Sequence, residues 1–345
     1  MQQYKLSAPG ISATFLSFGA ALQSLQVKDR QGKWTDVVAG YDDPEEYTRK
    51  KTFNGAIIGR YTNRIGKGKF TIDGQEYNIP LSEGGKTALH GGNHGWDQRH
   101  WRLVSQSESS LTLGLSDPDG SEGFPGAVDA HITYTLEAHP TRLTIRIVAL
   151  SLDKRTPIMP TTHTFWNLSG FADPTVVNDT FHLPNAKQTI GVDDLLIPTG
   201  ELIPVESTKY LDFTSPKKLA DLADNGEFGA NGGGIDHAYV LESTGEKPLQ
   251  LEWTSAASGI RLSIKTNQEC IQIYSGAHHD GTHSLKQSQA GGPFAKVQKF
   301  GCLAIEPQDW IDGVNHPEWN RASKQIFGPT DGPCVNWAEY AFDTV

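Results

Sequence analysis

Cysteine is scarce, with only Cys270, Cys302 and Cys334 in 345 residues. Their spacing suits no metal site, and an odd number leaves at least one thiol unpaired, which points to a reducing compartment. Long apolar runs are missing too. No stretch reaches the roughly 18 residues that a membrane span needs, and Met1 to Gly10 is polar and mixed, unlike a signal peptide. The expectation is a cytoplasmic protein. Basic patches are lacking: 30 Lys and Arg face 40 Asp and Glu, a net charge of −10 spread along the chain. That balance disfavours nucleic acid and anionic membranes, both of which reward clustered cations. There is no glycine-rich phosphate loop, no dinucleotide fingerprint and no Gly-x-Ser-x-Gly nucleophile elbow. Helical spacing is rare, and only residues 216–224 suit a short helix.

What is abundant is turn formers, 36 Gly and 19 Pro, among modest charge. Period-two patterns run from end to end. Phe70 and Ile72 lead into Asp73-Gly74, then Tyr77 and Ile79 follow, a hairpin signature. Leu143, Ile145, Ile147 and Ala149 alternate with Thr144, Arg146 and Val148, and Leu262 and Ile264 alternate in the same way. No linker and no internal repeat divides the chain. The expectation is an all-β protein, one large, mainly antiparallel domain over residues 1–345.

Alternation also assigns side chains to faces. In Ile271-Gln272-Ile273-Tyr274 the isoleucines share one face, and Gln272 with Tyr274 the other. Glu306 falls beside Ala304, opposite Leu303 and Ile305, before Pro307 ends the strand; His163 shares a face with Phe165 and Asn167. A cleft floored by a carboxylate, an imidazole, amides and aromatics suits a sugar.

Each constellation has a plainer reading beside that one. Arg60, Asn63 and Arg64 after Gly59 offer a fork of donors, or cap a surface turn. His90, between Leu89 and Gly91-Gly92, points into a site or satisfies a local backbone group. Asp236, after a glycine-rich run from Gly232, accepts from vicinal hydroxyls or forms an Asx turn. Histidine is the usual proton donor near neutrality, yet a strand histidine is often structural. His278, His279 and His283 lie close together, but Asp280-Gly281 between them signals a turn and no helix holds them on one face, so no metal is expected.

In order along the chain, the stretches Asn54–Ile65 (NGAIIGRYTNRI), Leu89–Gly92 (LHGG), Asp119–Gly126 (DGSEGFPG) with Tyr134–Leu136 (YTL), Thr162–Leu168 (THTFWNL), Gly234–His237 (GIDH), Gln272–Gly276 (QIYSG) and Ala304–Gln308 (AIEPQ) resemble the galactose mutarotase (aldose 1-epimerase) family. The resemblance runs from about residue 10 to residue 320. It implies a β-supersandwich with the sugar on a concave face, and interconversion of the α and β anomers of a free aldohexose such as glucose or galactose without any cofactor. It places His163 on the catalytic acid and Glu306 on the catalytic base. It places Asn63, Arg64, His90, Asp236 and Gln272 on substrate-binding positions. Phe165, also expected to bind substrate, stands where the family usually has tyrosine, and the tail from Arg321 fits the family pattern poorly.

Mutarotation removes the O1 proton while the ring oxygen O5 is protonated, so one base and one acid suffice. The expected pair is a Glu306 carboxylate and a His163 imidazolium, whose attraction would raise the histidine pKa and lower that of the glutamate. Alternatives are a hexose-6-phosphate 1-epimerase, with Arg60 as the candidate phosphate partner, and a non-catalytic sugar-binding protein. The chain is expected to act as a monomer or homodimer on a small-molecule substrate.

Overall fold

The computed structural model describes residues 1–208, 210–222, 233–242 and 248–345. Strands dominate, and the described α-helices are two four-residue turns, Glu46–Arg49 and Ala322–Gln325. A nine-stranded sheet runs in the order Arg102–Gln106, Ser110–Asp117, Val128–Ala138, Thr141–Ser151, Cys334–Thr344, Ile260–Thr266, Leu249–Thr254, Thr180–His182 and Lys217–Lys218. A six-stranded sheet runs Phe165–Trp166, Leu303–Gln308, Cys270–Tyr274, Asp236–Leu241, Ala186–Val192 and Pro198–Pro204. A four-stranded sheet is formed by residues between Gln3 and Asp36.

Period-two patterning explains how the two large sheets meet. Leu143, Ile145, Ile147 and Ala149 on one sheet and Ile271, Ile273, Leu303 and Ile305 on the other are each at most 3% exposed and belong to one apolar cluster. Trp166 stacks on Tyr340 across that interior, ring centroids 5.4 Å apart. At about 25 cal/mol per Å² of apolar surface, such a face is the main reason the sheets stay together. The opposite face of the six-stranded sheet is thereby left to carry polar groups.

The expected hairpin forms: Lys69–Ile72 pairs with Gln75–Asn78, and Asp73 (φ 51°) with Gly74 (φ 82°) makes the two-residue turn. The suggested helix at 216–224 is instead a two-residue strand, Lys217–Lys218, and a 3-10 turn, Ala220–Leu222; residues 223 and 224 lie outside the described residues. The tail is structural. Its strand Cys334–Thr344 pairs with Thr141–Ser151 on one side and Ile260–Thr266 on the other, inside the nine-stranded sheet. Cys270, Cys302 and Cys334 are free and buried. No described helix is long and apolar enough to cross a membrane.

Candidate active site

Three neighbouring strands of the six-stranded sheet place the floor of a cavity. Gln272 lies opposite Glu306 on one side and Ala238 on the other, and Tyr274 lies opposite Asp236 and Ala304. Residues directly opposite share a face, so Asp236, Gln272, Tyr274 and Glu306 project together while Ile271, Ile273, Leu303 and Ile305 enter the core. Phe165, opposite Ala304, continues the row. His163 arrives from the short strand Thr161–His163, which pairs with Ala56–Ile58.

Loops supply the remaining walls. Asn63 (φ 62°), His90 (φ 53°) and Phe53 (φ 57°) all have left-handed backbone, which is uncommon outside glycine and concentrates where structure over-determines a functional geometry. Gly91 makes the His90 turn possible: at φ 84°, a Cβ there would stand 2.1 Å from the Gly59 carbonyl oxygen. The cavity so enclosed is about 570 Å³, within the range of small-molecule sites. Asn63, Arg64, His90, His163, Phe165, Asp236, Gln272 and Glu306 all line it.

Polar contacts link these groups in a chain. The Asn63 amide donates to Gln272 Oε1 (3.3 Å), and Gln272 Nε2 donates to Asp236 Oδ1 (2.6 Å). Arg64 donates through Nε and Nη2 to the two carboxylate oxygens of Glu83, both at 2.7 Å. His163 Nε2 stands 3.4 Å from Glu306 Oε1. His163 Nδ1 and Glu306 Oε2 are buried with no partner among the described residues, an arrangement that costs stability and marks groups held for something else. Phe53 covers both histidines, with ring centroids 4.8 Å from His90 and 5.6 Å from His163.

The protonation of the pair differs from the expectation. Burial outweighs mutual attraction: it lowers the His163 pKa to about 4 and raises that of Glu306, with the Asp236 charge adding to the rise. Burial thus disfavours the charged form of both partners. Burial likewise raises Asp236, against the opposing charge of Arg64 and the Gln272 hydrogen bond. It also lowers His90, helped by electrostatic interaction with His163, Arg64 and Lys51.

Several sequence readings are corrected. Arg60 is buried and faces away from the cavity. Its Nε donates to Asp117 (2.9 Å), Nη1 to the Pro125 and Gly126 carbonyls and Thr156, and Nη2 to the Asp117 and Pro118 carbonyls, so it offers nothing to a phosphate. Asn167 ties a loop, donating to the Gly301 carbonyl and accepting from Ser169 and Phe171. Gly234 makes room for Ser275 Oγ, which would be 2.5 Å from a Cβ, rather than for a ligand beside Asp236; Gly232 lies outside the described residues.

His278, His279 and His283 contact separate partners, Tyr274 Oη, Cys302 Sγ and the Gly40 carbonyl. The described residues do gather another trio, His90, His163 and Glu306, with ligand-capable atoms within 4.8 Å of one another. However, His90 Nδ1 accepts the Asn63 backbone N–H at 3.2 Å, so the neutral ring carries its proton on Nε2. That edge is a donor suited to a hydroxyl oxygen, not a metal ligand.

Phe53, Glu83, Lys86, Leu195, Tyr274 and His278 also line the cavity and were not singled out as site residues. Tyr274 had a signal, its shared face with Gln272, and His278 was weighed only as part of the histidine cluster.

A cavity of this kind, with donors and acceptors ringed around a closely spaced imidazole and carboxyl and backed by aromatic rings, has the chemistry to suit proton transfer on a polyhydroxylated ligand. The comparisons give the family. The Aldose 1-epimerase family model matches residues 2–327. Galactose mutarotase of Homo sapiens is 36% identical over 321 residues, covering 92% of this chain and 88% of that protein. Aldose 1-epimerase of Escherichia coli K12 is 34% identical over 313 residues, covering 90% and 86%. The solved structure of an aldose epimerase homologue from C. elegans superposes with a TM-score of 0.88 at 28% identity, covering 100% of this chain and 99% of that one. The chain belongs to the aldose 1-epimerase family and is an isomerase acting on a sugar.

Proposed function

We propose that this enzyme interconverts the α and β anomers of free glucose or galactose, with Glu306 working on O1 and His163 on O5. The observation that carries the reading is the His163–Glu306 pair, 3.4 Å apart on the cavity floor, each partner keeping one buried atom unengaged. An acid and a base on either side of a hemiacetal carbon are what ring opening needs. Glu306 takes the O1 proton, His163 delivers one to O5, and the C1–O5 bond opens to the aldehyde. Rotation about C1–C2 then presents the other carbonyl face, and the same transfers run backwards.

The neutral and ionic forms of the pair hold the same number of protons. One transfer between partners converts the neutral form into carboxylate and imidazolium without exchange with solvent. Hydroxyl dipoles of the bound sugar replace lost hydration and favour that charged form. Each placed proton-transfer group is typically worth about 10²–10⁴ in rate. Asn63, Arg64, His90, Asp236 and Gln272 hold the hydroxyls and restrain the open chain, and Phe165 packs beside His163.

Residues 1–345 act as one domain in this reading, which the place of Cys334–Thr344 between two earlier strands supports. Polarimetry on freshly dissolved α-D-glucose and α-D-galactose tests the function. Acceleration of both beyond the buffer rate is expected, with glucose 6-phosphate slower. No acceleration of either sugar, or clear preference for the phosphate ester, would overturn it.

A further inference from the structure

Arg64 shares its cavity with two carboxyl groups, Asp236 and Glu306, and its charge acts on both. A guanidinium free to move among them would settle on one, because opposite charges attract strongly where water is scarce. It would then fill the space that a hydroxyl must enter. It does not, because a third carboxylate holds it from the rim.

Glu83 grips Arg64 through both oxygens, at 2.7 Å to Nε and 2.7 Å to Nη2. Such a planar fork fixes orientation as well as distance. Arg64 is 13% exposed and Glu83 36%, so the pair sits where cavity meets solvent. Nη1 has no hydrogen bond among the described residues and is the nitrogen left for a ligand.

The backbone under Glu83 is built to hold it. Its N–H donates to the Thr87 carbonyl at 3.0 Å, and its own carbonyl accepts from Lys86 at 3.1 Å and Thr87 at 3.4 Å. Gly84 (φ 57°) and Gly85 (φ 68°) close that turn in left-handed backbone. Ser82 Oγ accepts from the Leu89 N–H at 3.0 Å, fastening the turn to the strand that leads into His90.

We infer that Glu83 is a positioning residue for sugar binding, locking the Arg64 guanidinium away from Asp236 and Glu306 with Nη1 turned to the substrate. This rests on the proposal that Arg64 binds the sugar. Glu83 touches no reacting atom and acts on affinity rather than on the proton transfers.

The test is a set of single and double variants, each read by KM and kcat in polarimetry, by the calorimetric Kd for galactose, and by melting temperature. Glu83→Gln should raise KM and Kd about tenfold with kcat changed less than twofold, because an amide turns an N–H towards one guanidinium nitrogen. Glu83→Asp, which keeps the charge on a shorter arm, should recover part of the loss. In an Arg64→Ala background, Glu83→Gln should change nothing further.

An unchanged Kd in Glu83→Gln overturns the inference, as does an effect that persists without Arg64. A fall in kcat at constant KM also overturns it. If Glu83→Gln loses its fold, the Glu83→Asp variant decides by the same criteria. A wild-type protein that binds galactose but leaves anomers at the buffer rate would overturn the proposed function alone. The Glu83 effect on Kd would then still be measurable.

Discussion

One half of the candidate site stands on strands and the other on loops, and the two halves use different means to aim a side chain. On the strands, Asp236, Gln272, Tyr274 and Glu306 project from one face because alternation and register leave them no other direction. On the loops, Phe53, Asn63 and His90 reach the same cavity through left-handed backbone, which asparagine tolerates and phenylalanine adopts at a cost. In the proposed function the strand half carries the carboxyl of the proton-transfer pair on rigid sheet, and the loop half carries the donors to sugar hydroxyls and the aromatic cover. Chemistry that tolerates little displacement is thus placed where displacement is hardest.

The largest expected effect comes from breaking the strand half. Glu306→Gln and His163→Asn should each lower kcat by about 10²–10⁴ in polarimetry, while melting temperatures stay close to wild type, since each change keeps a neutral polar side chain in the same place. A variant at either position with near-wild-type turnover would remove it from the acid–base role.

Breaking the loop half should act on binding and on stability separately. Asn63→Ala loses the amide link to Gln272 and puts an ordinary residue at φ 62°, a conformation that costs about 1–2 kcal/mol. Asn63→Gly loses the same amide without the backbone cost. Both should raise KM roughly tenfold, about 1.4 kcal/mol of binding, but only the alanine variant should melt several degrees earlier. Equal melting temperatures would show that the left-handed turn is not what Asn63 supplies.

The pH dependence sharpens the same contrast. The competent pair holds one shared proton. Activity should fall below about pH 4, where His163 also becomes protonated, and fall again at high pH, where Glu306, raised by burial, gives up the last proton. These limbs belong to the pair. His90, a neutral donor fixed by the Asn63 N–H, should not move them, so His90→Asn should raise KM and leave both limbs in place. The smallest effect expected is that of Phe165→Tyr, which adds a hydroxyl near His279, 5.2 Å away between ring centroids. It should change the ratio of galactose to glucose KM by no more than a few fold, with turnover intact.

The strand half was legible in the sequence and the loop half mostly was not. A period of two fixes which residues share a face, so Ile271-Gln272-Ile273-Tyr274 and Leu303 to Glu306 could be read directly. No such period governs a left-handed turn: Phe53 and Glu83 gave no sign of facing a cavity, and Asn63 and His90 were reached through neighbours and family resemblance. Arg60 looked like a ligand donor because its partners, Asp117, Pro125 and Thr156, lie far along the chain. The pKa shifts of His163 and Glu306 run opposite to the direction expected from the sequence, for a related reason. Their attraction follows from residue type alone, whereas the depth of burial that outweighs it exists only in the folded chain.

The central claim is that His163 and Glu306 act on one ring as a unit, and the most direct measurement is anomer exchange by the two single variants and the double. Groups that share a single proton relay should not lose activity additively. The account predicts that Glu306→Gln, His163→Asn and the double variant all fall to similar residual rates while still binding galactose. Additive losses in the double variant, or either single variant exchanging anomers at the wild-type rate, would contradict it.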